Sequence, residues 1–204
     1  MKMFGTAAIL AGGKSSRMGF DKQLLTLDGK RFHVQIIEQL RQLFGDVLLV
    51  TNKPEFYREL PVRVCSDVFP GRGPLGGIHA ALFNAQSRYV YVLACDMPCV
   101  CPGYIHYQMK LLRRNPSGAC VTRKEDWLEP FNAFYSTDTL PILSRHLQEG
   151  KSSLYFFLKE INAAILAEET ARRFDPEMNM FLNLNTPAEY EAFIKRRGRY
   201  EACG

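Results

Sequence analysis

Residues 10–25, LAGGKSSRMGFDKQLL, set two adjacent glycines among three spaced cations directly behind an apolar run. Gly12 and Gly13 can take positive φ, which lets consecutive main-chain N–H groups line a concave anion site. Lys14, Arg17 and Lys22 add charge-assisted contacts, and the fork of Arg17 suits a phosphate held through paired bonds. The chemistry that needs this mixture is the binding of a polyphosphate. A Walker A loop does not fit, because that motif needs a glycine where this chain has Ala8.

The aspartate in ACDMP is a second candidate. Asp96 closes RYVYVLAC, the clearest strand pattern in the chain, and an ionised carboxylate there is costly unless something pairs with it. Mg²⁺ commonly takes one or two carboxylates and completes its shell with phosphate and water oxygens. Asp96 is therefore the candidate metal ligand, and capping of the following helix is its ordinary alternative. A formal G-x-G-x-x-G at Gly71, Gly73 and Gly76 imitates a dinucleotide-binding loop, with Asp96 about twenty residues on. Residues DVFP separate these glycines from the strand before them and Pro74 stiffens the turn, so a nicotinamide or flavin site is not expected.

Such residues need strand ends to sit on, and the first half of the chain alternates strand and helix patterns. GTAAILA, DVLLVT, VRVCS and RYVYVLAC read as strands, the last buried on both faces. FHVQIIEQLRQLF, with Val34, Ile37, Leu40 and Phe44 at helical spacing, a short helix at 54–59 and IHAALFNA read as helices. The second half predicts helices at 102–114, 138–147 and 151–159, strands at GACVTR, FNAFYS and NAAILAE, and a final helix from Pro187. Thr186, Pro187 and Glu189 form a capping box for that helix, which leaves Asn183 and Asn185 unexplained. The expected fold is α/β, a single domain with a mostly parallel central sheet flanked by helices. In such sheets ligands bind beyond the carboxyl ends of the strands, where residues 10–22, 67–77 and 95–98 fall.

At 204 residues, with 47% hydrophobic and 23% charged side chains, the chain suits one soluble domain. A net charge of +5 without a concentrated basic stripe does not suit a nucleic-acid binder, and KRRGR at 195–199 reads as basic residues at a helix C-terminus. The N-terminal segment is too short and too interrupted for a signal peptide, and no run approaches a membrane span, so a cytoplasmic protein without membrane contact is expected. Six cysteines match no common zinc spacing and read as small apolar residues.

LAGGKSSRMGFDKQLL, DVFPGRGPLGG, LACDMP and NLNTPAEY together resemble the nucleotidyltransferases of Rossmann-like fold, and within them the guanylyltransferases of molybdenum cofactor biosynthesis. The resemblance runs from about residue 7 to 190. It implies one domain over 1–204, with a nucleotide-binding half at about 1–100 and an acceptor-binding half at about 101–204. It implies that GTP is held by Leu10, Ala11, Gly12 and Gly13, by Lys14 and Lys22 on the phosphates, and by Asn52, Asp67 and Asp96. Mg²⁺, or Mn²⁺ in its place, would sit on Asp96, and Arg17, Lys22 and Asp96 would be the catalytic residues.

The guanylyl type is favoured by Gly12, since cytidylyl relatives look like AAG where this chain has AGG, and by PLGG at 74–77. Asn183 and Asn185 stand where sugar-phosphate enzymes often carry a second metal-binding aspartate. LEPFNAFYS is similar to a family strand and places Pro130, with these two asparagines, near the acceptor. Molybdopterin is the implied acceptor, with molybdenum-insertion proteins or molybdoenzyme chaperones as protein partners of a monomer or weak homo-oligomer. Two other readings use the same residues: another nucleotidyltransferase of the superfamily, acting on a cytidylyl-type pterin, sugar-phosphate or phospholactate substrate, or a non-catalytic nucleotide-binding regulator. The intact set Lys14, Arg17, Lys22 and Asp96 speaks against the last.

Overall fold

The apolar run ahead of the glycine pair is a strand, β1 (Lys2–Leu10), in a computed structural model that describes residues 1–12, 26–27 and 30–197. Short strands β2 (Thr26–Leu27) and β3 (Lys30–Arg31) pair antiparallel and lead into helix α1 (Phe32–Leu43). Then come β4 (Asp46–Val50), a 3₁₀ turn at Pro54–Tyr57, β5 (Arg63–Cys65), α2 (Pro74–Phe83) and β6 (Ser87–Ala94). The remainder is α3 (Pro102–Arg114), β7 (Ala119–Lys124), β8 (Trp127–Ser136), α4 (Leu140–Gln148), α5 (Leu154–Glu160), β9 (Ala164–Leu166), α6 (Glu168–Arg172) and α7 (Pro187–Arg197).

Seven strands form one sheet in the order β5-β4-β1-β6-β8-β7-β9. All pairings are parallel except those of β8, which runs antiparallel to both β6 and β7. The expected mostly parallel α/β sheet is thus present. Its two faces explain why the central strands lack amphipathic alternation. Ala7, Ile9, Leu49, Tyr91 and Leu93 bury against the layer that holds α1 and α3, while Ala8, Leu10, Leu48, Val90 and Val92 bury against α2, α4 and α5. Both sides of β1 and β6 need apolar residues because neither side meets water.

Helix α1 buries Phe32, His33, Ile36, Ile37 and Leu40, and the stripe continues into Phe44. Val34 is only half-buried, one position off the true stripe. Each fully buried Ile or Leu of this stripe contributes about 1.5–3 kcal/mol relative to exposure. Two element boundaries differ from the sequence expectation in ways that matter below. Helix α2 begins at Pro74 rather than Ile78, since proline suits a first helical position and Gly73 precedes it with φ 61° and ψ −149°, a backbone shape essentially confined to glycine. Strand β8 begins at Trp127, four residues before the FNAFYS core, because the hairpin with β7 extends beyond the pairing with β6.

Three of the histidines, His33, His79 and His146, are buried packing residues, and His106 is exposed. His33 lies edge-on to Tyr57 at 5.1 Å between ring centroids. Burial, assisted by Arg31, lowers its pKa from 6.5 to about 4. The unfolded chain therefore takes up a proton first as pH falls, so His33 costs the fold stability progressively from about pH 6.5 down to about pH 4. We expect His33→Phe to flatten the dependence of the urea midpoint on pH across that window. An unchanged slope relative to wild type would show that His33 is not neutral in the fold.

Candidate active site

The register of the parallel strands brings the sequence-predicted nucleotide residues to one level. Val50 pairs with both Cys65 and Leu10, and Leu10 pairs with Ala94, so Cys65, Val50, Leu10 and Ala94 form a row across β5, β4, β1 and β6. Gly12, Asn52, Asp67 and Asp96 each stand two residues past that row, at the carboxyl edge. Adjacent strands are about 4.8 Å apart, so the row spans about 14 Å. The row is extended by Ala11 N–H to Val50 O (2.8 Å), Thr51 N–H to Cys65 O (2.8 Å) and Cys95 N–H to Leu10 O (3.1 Å). These bonds hold each loop in line with its strand for one residue more before it departs.

Two of the four residues touch directly. The Asn52 side-chain oxygen accepts the Asp67 N–H at 3.1 Å, and Asp67 Oδ1 accepts the Phe69 N–H at 2.8 Å. The carboxylate of Asp67 thereby folds back over the start of α2. A Cβ at Gly76 would lie 2.8 Å from Asp67 Oδ2 and 2.8 Å from Phe69 O, closer than a carbon can approach, so only glycine admits this turn. Phe69 in turn packs edge-on against His79, 4.8 Å between centroids. The His79 Nε2–H donates to Ser144 Oγ (2.9 Å), since the Ser144 hydroxyl is already committed to Leu140 O. Burial keeps His79 below the usual histidine range, with the charge of Asp67 acting the other way.

On the other side of the row, Asp96 is half-buried in a turn closed by Met97 N–H to Ala94 O (3.1 Å). Its main-chain oxygen accepts the Leu184 N–H at 3.0 Å. Leu184 is fully buried beside Phe32 and Phe193, so its neighbours Asn183 (half-buried) and Asn185 (exposed) flank the point where this segment meets Asp96. The Asn185 and Thr186 N–H groups both donate to Glu189 Oε2 (2.7 and 2.9 Å), and the Glu189 N–H donates to Thr186 Oγ1 (3.2 Å). The capping box is present, and it fixes the chain immediately after the asparagines. Pro130 is half-buried in β8, where its oxygen accepts the Tyr135 hydroxyl at 2.8 Å.

The family of the MobA-like NTP transferase domain matches residues 7–168, four-fifths of the chain and all of the row. The chain belongs to the MobA-like NTP transferase family. A molybdenum cofactor guanylyltransferase of Syntrophotalea carbinolica is 49% identical over 195 residues, covering 96% of this chain and 92% of the relative. A probable molybdenum cofactor guanylyltransferase of Peptoclostridium acidaminophilum is 41% identical, covering 94% and 89%. The crystal structure of molybdopterin-guanine dinucleotide biosynthesis protein A from Archaeoglobus fulgidus has a TM-score of 0.82 at 27% identity, covering 95% of this chain and 99% of that one.

Within this MobA-like NTP transferase, Gly13, Lys14, Arg17 and Lys22 lie outside the described residues. Leu10, Ala11, Gly12, Asn52, Asp67 and Asp96 come together along the row, and Asn183 and Asn185 join them beside Asp96. Gly12 is exposed, and a Cβ there would meet nothing within 4 Å among the described residues. Among those residues no group of at least three His, Cys, Asp and Glu side chains could hold a metal ion. An Mg²⁺ that draws most of its oxygens from phosphates and water needs no such group, and the hard carboxylate of Asp96 fits it. Burial raises the pKa of Cys65 to about 11 and of Cys120 to about 12, so these thiols are poor nucleophiles.

Sequence reasoning missed the start of α2 inside this site, although Pro74 after a glycine carried the sign of it. It also missed the main chain of Leu184 as the tether of Asp96, for which no local pattern exists. We expect Gly76→Ala to displace the Asp67 turn, weakening affinity for the nucleoside triphosphate roughly tenfold, the equivalent of about 1.4 kcal/mol. Calorimetric titration checks this, and unchanged affinity in a folded variant would remove Asp67 from the nucleotide site.

Proposed function

We propose that this chain transfers GMP from GTP to the terminal phosphate of molybdopterin, giving the guanine dinucleotide form of the molybdenum cofactor and pyrophosphate. The observation that carries the reading is the level row from which Gly12, Asn52, Asp67 and Asp96 project, with Asn183 and Asn185 brought to Asp96. The names of the relatives at 49% and 41% identity supply the guanylyl donor and the molybdenum cofactor acceptor.

In this reading an oxygen of the molybdopterin phosphate attacks the α-phosphorus of GTP, the new P–O bond forms as the bond to the β-phosphate oxygen breaks, and pyrophosphate leaves with the electron pair. A phosphate monoester has a second pKa of about 6, so the nucleophile is already ionised at neutral pH and no general base is required. Catalysis rests on positioning and charge stabilisation. Lys14 and Arg17 neutralise the charge that develops on pyrophosphate, and Lys22 orients the triphosphate. Leu10, Ala11, Gly12 and Gly13 offer main chain to the nucleotide, Asn52 and Asp67 hold it at the β4–β5 side, and Pro130, Asn183 and Asn185 face the acceptor. Asp96 would hold Mg²⁺ or Mn²⁺, which when bound supplies further neutralisation of phosphate charge.

Calorimetry of GTP and CTP with and without Mg²⁺ tests the donor. Selective, Mg²⁺-dependent GTP binding is expected, and a preference for CTP would overturn the guanylyl assignment. Asp96→Ala should remove most turnover while the fold persists, and near wild-type activity in saturating Mg²⁺ would eliminate Asp96 as the metal ligand. Arg17→Ala should cost about 2–4 kcal/mol of transition-state stabilisation, comparable to the loss of an oxyanion donor. An unchanged rate constant would exclude Arg17 from the site.

A further inference from the structure

Asn132 sits in the middle of β8 with φ 52°, the left-handed region, and is 1% exposed. Few residues other than glycine tolerate that conformation, and asparagine is one of them. The reason for it is a bulge. Pairing of β8 with β6 stops at Ala133, opposite Val92, although β6 runs on to Ala94, two residues before Asp96. On the β7 side, Cys120 pairs with Phe134 and Thr122 with Glu129, so a two-residue advance along β7 is matched by five residues of β8. The extra chain carries Pro130, whose missing N–H is tolerated in a central strand only where pairing lapses. The sheet is therefore split at its carboxyl edge between the end of β6 and the first half of β8.

The segment that leads to Asn183 and Asn185 crosses this split, and Asn132 holds it. The Tyr91 hydroxyl, on β6, donates to Asn132 Oδ1. The Asn132 side-chain NH₂ donates to Met180 O. The main-chain oxygen of Asn132 accepts from Gln108 Nε2 of α3 at 2.8 Å. From Met180 the chain needs only four more residues to reach Leu184, whose N–H meets Asp96 O at 3.0 Å. Met180 is itself seated from its far side by its N–H donating to Asp175 Oδ2 at 2.7 Å. One buried side chain thus joins the strand that delivers Asp96, the bulge that delivers Pro130 and the segment that delivers the two asparagines.

We propose that Asn132 is the positioning residue of the acceptor half of the site, setting the distance of Asn183, Asn185 and Pro130 from Asp96 without touching substrate. This rests on the molybdopterin guanylyltransferase reading. The row residues on β5, β4 and β1, which carry Asp67, Asn52 and Gly12, share none of these bonds, so acceptor binding should respond to mutation more than nucleotide binding.

The test uses Asn132→Gly, which keeps the left-handed backbone and loses both side-chain bonds, and Tyr91→Phe, which loses one bond and leaves the bulge residue in place. GTP affinity should stay within about twofold of wild type while KM for molybdopterin rises about tenfold in Asn132→Gly and less in Tyr91→Phe, with a smaller change in kcat. Amide hydrogen exchange, read without any reaction, should quicken about tenfold at Leu184 while the β1 and β4 amides keep their protection. Unchanged acceptor KM and unchanged Leu184 exchange in folded variants would overturn the proposal, and so would a uniform rise in exchange across the sheet. If Asn132→Gly does not fold, Tyr91→Phe decides by the same readings. Failure of the wild-type protein to transfer GMP to molybdopterin would overturn the parent reading, and the exchange comparison then decides the role of Asn132 by itself.

Discussion

The hydrogen-bonded row Cys65–Val50–Leu10–Ala94 is the constraint on which the rest of the molecule depends. Successive side chains of a strand point to opposite faces, so slipping any of these strands by one residue would turn its whole apolar set to the wrong layer. Ala7, Ala8 and Ile9 have no exposed surface on either side, and Tyr91, Val92 and Leu93 are equally enclosed. Register is therefore held by two cores at once. The loops inherit that order because each leaves its strand at the same height, and side chains distant in sequence meet with no need for long-range adjustment.

The two sides of the row are built differently. On the β4–β5 side the contacts are short-range and made by the loops themselves: Asn52 to Asp67, Asp67 to Phe69, and the turn pressed onto Gly76. On the β6 side the support comes from elsewhere in the chain, through Leu184 and the aromatic cluster of Phe32, Tyr190 and Phe193. A transferase that must bring two substrates together has reason to separate their supports. In the proposed reading the donor side is formed by loops tied to one another, and the acceptor side by a segment laid across a split sheet.

What could be read from the sequence followed from periodicity and from the rule for parallel sheets. Gly12 and Asp96 could be singled out because a strand pattern ends just before each one, whereas Asp67 and Asn52 came only with the family resemblance. Asn183 and Asn185 could be singled out because the capping box accounted for Thr186, Pro187 and Glu189 and left them over. Asn132 was not legible: a left-handed asparagine within a run of strand residues leaves no periodic trace, and its partners lie on β6, α3 and the segment before α7. The start of α2 was displaced because the glycines around Pro74 read as loop, whereas Gly73 and Gly76 serve the approach of the helix to Asp67. Local chemistry marked the candidate groups, and tertiary contacts that no window contains marked their supports.

The bond from Leu184 to Asp96 has a temporal consequence. A chain leaving the ribosome can pair β1, β4, β5 and β6 and enclose much of both cores while the segment around Leu184 is still unmade. The turn that carries Asp96 thus gains its last main-chain partner near the end of biogenesis. An incomplete chain would resemble the finished protein along the row Cys65–Val50–Leu10–Ala94 and still lack the main-chain bond that fixes the turn of Asp96, so the two sides of the strand ends are completed at different times.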